Sequence, residues 1–268
     1  MSTSILPLTR RSLADSWHGL LGWTLGMAAV VLLYVPLYSS FSGEDAGFED
    51  VIKSLPDGLA STLGFQDLSS GAGYVQATAY GLLGFALIVI AATLWSSAAI
   101  AGDEESGSLE LTMAHGVSRV QIMSERSLAV ILRLVWLAAV VFILMLILNE
   151  PSGVALEPAD ILAGTVALLG LGILSASFGL AIGAITGRRA FASAAAAGIA
   201  LFGYVLNSVA NQSADLDWLH NLSPYHWAFG NTPLSDGADW GSLGLIYGIS
   251  ALVLVIGGVI FNRRDISA

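Results

Sequence analysis

Few residues in this chain are of a type that does bond-making chemistry. The sequence contains no cysteine, and its histidines are His18, His115, His220 and His226. His220 and His226 are six positions apart, whereas a helical metal pair needs i, i+4 spacing and a zinc site needs several converging ligands. The only lysine, Lys53, follows Ile52 and not the glycine of a Gly-Lys phosphate loop. We therefore predict no catalytic residue, no metal ligand and no bound cofactor in this chain, which is not an enzyme by itself.

Residues 103–119, DEESGSLELTMAHGVSR, have a pattern suited to binding a partner protein. Ser106 or Ser108 could cap a short helix, and Gly116 could end it. Glu110 would lie in its first turn, where a carboxylate is favourable. The apolar side of that helix, suited to a groove on a soluble protein, would consist of Leu109, Leu111 and Met113. The alternative is a plain polar connector, in which these acids and glycines would have no role.

Apolar stretches make up most of the chain, and the segment at residues 103–119 lies between two of them. The sequence is 55% hydrophobic and 11% charged, whereas soluble proteins carry roughly 25% charged residues. Six stretches are each long enough to cross a hydrocarbon core of ~30 Å as a helix. They are residues 19–38, 76–101, 127–148, 160–186, 190–209 and 241–261. We predict an all-α polytopic membrane protein with a single transmembrane domain over residues 1–268, because backbone groups in lipid must be paired within each helix.

The basic residues predict how these helices are oriented. All nine arginines can be placed on one side of a membrane, whereas Lys53 falls on the other, which is the positive-inside pattern. We predict that both termini are cytoplasmic in the cell (plasma) membrane, with a cytoplasmic loop at residues 102–126. The predicted external loops are residues 39–75, 149–159 and 210–240. The acidic residues are mostly external, so the net charge of −10 does not indicate nucleic-acid binding, which needs a basic face.

Three further segments have two interpretations each. Residues 4–18 place Leu6, Leu13 and Trp17 on one side, which predicts a short interfacial helix, and the alternative is a frayed lead-in. Apolar residues in the 39–75 loop would form either a substrate gate or a structural cap. Small residues of the fourth span recur every four positions and would pack against a helix of the bundle or of a second subunit. These small residues are Ser175, Gly179, Gly183 and Gly187.

Arg133 is the best candidate for an ionisable residue deep in the predicted spans. A proton- or ion-coupled carrier normally has such groups near the middle of the membrane. Arg133 lies about two turns beyond Arg126, and we favour the interpretation that it extends to the headgroups. The sequence therefore favours a chain that takes its energy from another subunit over a stand-alone channel or carrier.

The order of these features resembles the type-2 permease subunits of ATP-binding cassette (ABC) transporters. The shared features are the acidic–Gly–Leu-Glu-Leu segment ending in Gly-Val-Ser-Arg, an N-terminal interfacial helix, six spans, Ser223-Pro224-Tyr225 and a closing Arg263-Arg264-Asp265-Ile266. His115-Gly116 stands where many members carry a proline. The resemblance implies a second permease, identical or different, and two cytoplasmic ATPase subunits that hold ATP and magnesium. It implies an ATPase-coupling loop at Glu104, Glu105, Gly107, Leu109, Glu110, Gly116, Ser118 and Arg119.

The first functional hypothesis is therefore an exporter that works by alternating access. Spans two and five would line the path of a lipophilic or amphipathic compound. The path residues would be Trp95, Ser96, Ser97, Tyr204 and Asn207. The alternative is a membrane sensor or scaffold that contacts an ATPase without transporting a substrate.

Overall fold

The structure, a computed structural model, describes residues 6–41 and 70–264, and this part of the chain contains no strand. The helices are α1 (Pro7–Asp15), α2 (Trp17–Phe41), α3 (Gly71–Glu105), α4 (Ser108–Ala114), α5 (Arg119–Asn149), α6 (Pro158–Thr186), α7 (Arg189–Ala210), α8 (Pro224–Phe229) and α9 (Trp240–Arg263). A 3-10 helix covers Ala214–Leu222. Six helices, α2, α3, α5, α6, α7 and α9, are long and apolar enough to cross a membrane. The prediction of an all-α protein with six membrane-spanning helices is confirmed.

The bundle has two chemically different ends. We call the end that carries Arg126, Arg189 and Arg264 the basic end, and the end that carries α8 the distal end. Most of the predicted 39–75 loop, including Lys53, lies outside the described residues, as do residues 265–268. The structure therefore does not bear on the proposed gate or cap in that loop.

The connection between α3 and α5 is shorter than the predicted loop at residues 102–126. α3 continues to Glu105, and α5 begins at Arg119, where the Ser118 hydroxyl accepts a hydrogen bond of 3.2 Å from the Gln121 N–H. The apolar pattern predicts both helices too short at the basic end. Charged side chains can continue a helix beyond its apolar part without breaking its backbone hydrogen bonds. Residues 106–118 form the actual connection, and they contain α4.

α6 lies at the centre of the bundle and contacts α3, α5, α7 and α9. A methyl group built on Gly179 would lie 2.9 Å from Ser96 Cβ and 3.1 Å from Ala196 Cβ. The Ser175 hydroxyl donates a 2.8 Å hydrogen bond to the Ala196 carbonyl. The small residues of the fourth span therefore pack against α3 and α7 of the same chain, where they allow a close approach of the helices. The sequence left open whether these residues pack against the same chain or a second subunit, and the structure shows packing within the same chain.

α1 is a docked helix and not a frayed lead-in. The buried carboxylate of Glu125 in α5 accepts hydrogen bonds from the Leu8 and Thr9 N–H groups at 2.8 and 3.0 Å. These N–H groups belong to the first turn of α1, and N–H groups in a first turn have no acceptor within their own helix. A negative charge at this end of a helix is also favourable. Leu6, which precedes α1, and Trp17, the first residue of α2, are 43% and 52% exposed. They flank α1 instead of lying on one side of it, and its location in the membrane interface stays a prediction.

Arg133 also contacts α1. Its Nη2 donates to both the carbonyl and the hydroxyl of Ser12 at 2.7 Å, and its guanidinium lies 5.7 Å from the Trp95 ring centroid. The side chain is 6% exposed and is therefore enclosed within the chain, where it contacts α1 and α3. Its extension to the headgroups stays a prediction. The side chain joins α1, α3 and α5.

Candidate functional site

Three consecutive carboxylates at the end of α3 bind three different parts of the bundle. Asp103 forms an ion pair with a side chain of α5, Glu104 with one that follows α9, and Glu105 accepts a 2.8 Å hydrogen bond at the start of α7. Their partners are the Arg126 guanidinium, the Arg264 guanidinium and the Arg189 N–H. Displacing the end of α3 therefore means displacing or breaking contacts to α5, α7 and α9.

Glu104 lies in a small cradle formed by the α6–α7 turn. Gly187 has φ +66°, and a methyl group built on it would lie 2.5 Å from the Glu104 carboxyl carbon. Only glycine combines this left-handed conformation with so close an approach. The side chains of Glu104 and Arg264 are 19% and 18% exposed, so their ion pair is better protected from solvent than a surface pair.

The Arg119 side chain caps the C-terminal end of α9. Its Nη1 donates hydrogen bonds to the carbonyl oxygens of Phe261 and Arg264. Carbonyl groups in the last turn of a helix have no partner within that helix, so a guanidinium from α5 satisfies them here. Arg119 therefore stabilises the bundle and is not directed at solvent.

α4 presents one side to the bundle and the other to solvent. Leu109 is 1% exposed and Met113 packs beside the core, whereas Leu111 is 67% exposed. The prediction that these three residues share one side is wrong, because Leu111 lies about 200° around the helix from Leu109 at 100° per residue. Glu110 and His115 are exposed together with Leu111.

Glycines, and not a capping serine, flank α4 at both ends. Gly107 precedes it with φ +74° and Gly116 follows it with φ +81°. The predicted serine cap is wrong: the Ser108 hydroxyl donates to the Asp103 carbonyl at 3.1 Å, and no side chain caps the first turn of α4. The left-handed glycines reverse the chain on both sides of the helix, so that α4 projects from the basic end.

The eight residues of the predicted coupling loop therefore have different roles. Glu104, Glu105, Leu109 and Arg119 contact the rest of the chain; Gly107 and Gly116 form turns; Ser118 caps α5. Glu110 alone directs its side chain to solvent without such a role in the described structure. Sequence reasoning did not separate Leu111 and His115 as exposed residues, although helical spacing from Leu109 contains that signal.

The five residues predicted to line a path do not form one surface within the chain. Ser96 and Ser97 are buried, and Trp95 packs edge-on against Trp23 with 6.3 Å between ring centroids. Tyr204 stacks on Phe85 at 6.0 Å, near the distal half of α7. Asn207 lies one turn further on, with its Oδ1 3.2 Å from His226 Nδ1. Tyr204 and Asn207 thus lie together, apart from the three residues of α3.

A separate apolar groove of about 310 Å³ runs between α3 and α7. Its walls include Phe85, Val89, Ile90, Leu94, Ala197 and Leu201. Ile90, Leu94 and Leu201 are 43% exposed or more. Thr93 is the one polar residue that lines the groove, and its hydroxyl has no hydrogen-bond partner within residues 6–41 and 70–264.

The Ser223-Pro224-Tyr225 segment closes the distal end of this groove. The Ser223 hydroxyl donates to the Gly203 carbonyl of α7 at 2.6 Å and caps α8 by accepting from the His226 N–H. The Tyr225 hydroxyl donates to the Gly81 carbonyl at 2.9 Å. Gly81 lies in Gln76–Gly84, where α3 is π-helical. α8 is thereby attached to both walls of the groove.

A stacked pair of histidines lies beside α8. The His220 and His226 rings are 4.0 Å apart between centroids, and His220 Nε2 lies 3.0 Å from Asn211 Oδ1. Burial and the neighbouring His220 lower the pKa of His226 from 6.5 to about 4, while Asp217 acts in the opposite direction. Within the described residues no group of three or more His, Asp or Glu side chains is placed to hold a metal ion.

The lowered pKa of His226 predicts that acid destabilises the distal end. Between pH 6.5 and about 4 the unfolded chain binds a proton at this position and the folded chain does not, so stability falls as the pH falls through this window. We expect the thermal unfolding midpoint of the detergent-solubilised chain to fall less between pH 7 and 4.5 in His226→Gln than in the wild type. His115→Gln, at an exposed histidine, is the control and should behave as the wild type. An equal fall in all three proteins would contradict the prediction.

The fold and this end-to-end asymmetry define the class of protein: a polytopic helical membrane protein that displays a short helix from its basic end. A comparison with protein families matches residues 7–266 to the ABC-2 family transporter proteins. The match spans nearly the whole chain, which therefore belongs to this family. It is a permease, the membrane subunit of an ABC transporter, and the family implies that it works with ATP-binding subunits. No curated protein matches the chain in a sequence comparison.

Proposed function

We propose that this permease is part of an ATP-driven exporter and that the ATP-binding subunits bind the exposed side of α4. Leu111 offers an apolar contact, and Glu110 and His115 offer polar contacts around it. A short amphipathic helix that inserts such a side chain into a groove is a common form of protein recognition. The single observation that carries the proposal is that α4 presents Leu111 outwards while Leu109 holds it to the bundle.

The anchoring of α4 suggests how movement of the ATP-binding subunits reaches the membrane. α4 follows the three carboxylates of α3 after a short turn, and these carboxylates contact α5, α7 and the end of α9. A displacement of α4 would therefore act on four spans together. Alternating access needs an element with two discrete arrangements, and a packed group of helices moves more readily as a unit than by continuous deformation.

The arginines support a cytoplasmic location for the basic end. Nine arginines lie in this chain, and those described at the helix ends, including Arg119, Arg188 and Arg264, are all at the basic end. Positive residues are enriched in cytoplasmic connections. Both termini and α4 would then face the cytoplasm of a cell whose plasma membrane holds the transporter, within reach of soluble ATP-binding subunits.

The groove between α3 and α7 supports a lipophilic or amphipathic substrate. Its walls are apolar, and the hydroxyl of Thr93, the one polar residue named among them, is buried beneath the groove surface. The groove is open on one side, so a second permease, identical or different, would complete the path. With two permeases the transporter would bind two ATP-binding subunits, one on each α4. Tyr204 would line the distal part of this path through its stack with Phe85.

The substitution Leu111→Asp tests the proposal. Leu111 is 67% exposed, so the change should alter the free energy of unfolding by no more than about 0.5 kcal/mol. A carboxylate placed in an apolar groove of a partner loses its hydration, so we expect co-purification of the ATP-binding subunit with the tagged permease to fall by about tenfold or more. The measurement is a pull-down from solubilised membranes with quantification of the ATP-binding subunit by mass spectrometry.

Leu222→Asp is the matched control, since Leu222 is 52% exposed but lies at the distal end. It should retain the ATP-binding subunit at the wild-type level. Equal co-purification with Leu111→Asp and wild type would show that α4 is not the binding helix. Association without ATPase stimulation by any lipophilic compound in proteoliposomes would favour the sensor or scaffold function over export.

A further inference from the structure

A second groove lies between α5 and α9 at the basic end, on a different side of α9 from its contact with α6. Its volume is about 600 Å³. Its floor includes Gly258, where an added methyl group would lie 3.4 Å from Met123 Cγ. The walls are mainly apolar and include Val120, Leu254, Val255 and Val259. Nothing in the proposed export path uses this groove.

The polar groups of the groove are unevenly distributed along it. Arg263 and Asn262 lie at its basic-end rim, and both side chains are exposed. No carboxylate forms an ion pair with Arg263 in the described part of the chain. A positive charge at the rim of an apolar groove, at the end of a membrane-spanning helix, is complementary to an anionic group at headgroup level.

Ser127 marks the interior of the groove. The residue is 8% exposed, and its hydroxyl has no hydrogen-bond partner in the described structure. A buried hydroxyl without a partner is unfavourable, most of all within the hydrocarbon region. The hydroxyl oxygen is itself buried, so a ligand in the groove would contact the surface around Ser127 and not this oxygen.

The length of the groove agrees with such a ligand. Its residues on α9 run from Leu254 to Arg263, which corresponds to roughly 14 Å at ~1.5 Å per residue. Half of a hydrocarbon core of ~30 Å is nearly the same length. The groove thus runs from headgroup level to about the middle of the bilayer, the distance covered by one acyl chain of one leaflet.

We propose that this groove is a binding site for an anionic phospholipid of the leaflet at the basic end. One acyl chain lies against Gly258 and between the valines, and the phosphate contacts Arg263 and Asn262. The lipid holds α5 and α9 together as a bound component and is not the transported compound. The site depends on membrane embedding alone, so it stands whether or not the chain is an exporter.

Lipid binding can be tested by native mass spectrometry of the full chain, purified from nanodiscs that contain phosphatidylglycerol and phosphatidylcholine in equal amounts. We expect one phosphatidylglycerol to be retained by the wild type in preference to phosphatidylcholine. Gly258→Leu fills the floor of the groove and should reduce this adduct about tenfold, by removing most of the contact area of the acyl chain. Arg263→Gln should reduce it roughly fivefold, the effect of one basic residue near an anionic headgroup.

Two matched controls separate the groove from the general lipid surface. Gly248→Leu adds the same side chain to α9 at a position where nothing lies within 4 Å of the added methyl, and Arg188→Gln removes an exposed arginine elsewhere at the basic end. Both should retain the lipid. If Gly258→Leu fails to fold, Val255→Trp, at a wall residue that is 63% exposed, fills the groove without disturbing the packing of the helices.

Three results would overturn the proposal. Retention of phosphatidylglycerol by both groove-blocking variants would place the lipid elsewhere. Equal retention of phosphatidylcholine and phosphatidylglycerol by the wild type would remove the role of Arg263. A change of oligomeric state in Gly258→Leu or Val255→Trp, without a retained lipid in the wild type, would make the groove an interface between copies of the chain.

Discussion

Gly179→Leu is expected to lower the thermal unfolding midpoint of the solubilised permease by roughly 10 °C. A methyl group at this position would already lie 2.9 Å from Ser96 Cβ and 3.1 Å from Ala196 Cβ, and leucine adds three more carbon atoms. Since α6 contacts both α3 and α7 here, neither neighbour can move without losing contacts of its own. Overpacking of this kind typically costs about 3 kcal/mol or more when the backbone cannot shift.

The measurement is unfolding in a mild detergent, followed by intrinsic fluorescence, together with size-exclusion chromatography. Gly198→Leu is the control, because an added methyl on this glycine of α7 would have nothing within 4 Å. That variant should unfold within a few degrees of the wild type, and a glycine replaced within a helix can even stabilise it by about 1 kcal/mol. If Gly179→Leu unfolded as the wild type and changed only the oligomeric state, the small residues of α6 would serve a subunit interface instead.

Leu109→Asp is expected to release α4 from the bundle and abolish transport. Leu109 is 1% exposed, and its burial contributes about 1.5–3 kcal/mol, all of which a carboxylate forfeits. A charged group would not stay in that site, so α4 should detach and not remain docked with a buried charge. Hydrogen exchange of the amides in residues 108–114 should accelerate roughly 10- to 150-fold, and the ATP-binding subunit should be lost as well.

The comparison with Leu111→Asp makes this prediction specific. Both variants introduce a carboxylate into α4 and both should lose the ATP-binding subunit, but only Leu109→Asp should alter hydrogen exchange. Leu109→Met, which conserves volume and apolar character, should retain slow exchange and transport. Slow exchange in Leu109→Asp would show that α4 is held by other contacts, of which the hydrogen bond between Ser108 and the Asp103 carbonyl is the first candidate.

The acidic segment after the second span contains an anchoring part and, next to it, the part that we propose binds ATP-binding subunits. Asp103, Glu104 and Glu105 face the bundle, where each binds a different helix or helix end. The residues proposed to contact ATP-binding subunits begin only at Glu110. The carboxylates are anchors for α4, so a variant of Glu104 is expected to affect the stability of the basic end and not only the affinity for a partner.

Several features followed from the chain without its tertiary structure. Six spans, a helical N-terminal segment and a short helix between the second and third spans were all predicted, because hydropathy and glycine placement act over a few neighbouring residues. The family resemblance is confirmed by a match over residues 7–266. Helix ends were less well predicted: α3 and α5 extend into charged residues, where the apolar pattern has already stopped.

The sequence by itself determined that this protein is a membrane-spanning helical protein, since the solvent around each segment is set by composition along the chain. Only the tertiary structure decided which residues face a partner and which hold the bundle together. Glu104 pairs with Arg264, which is 160 positions away. Leu109 and Leu111 are two residues apart, yet the first is 1% exposed and the second 67%. Such outcomes depend on the rotation of each helix about its axis and on its neighbours, and neither is contained in local hydropathy.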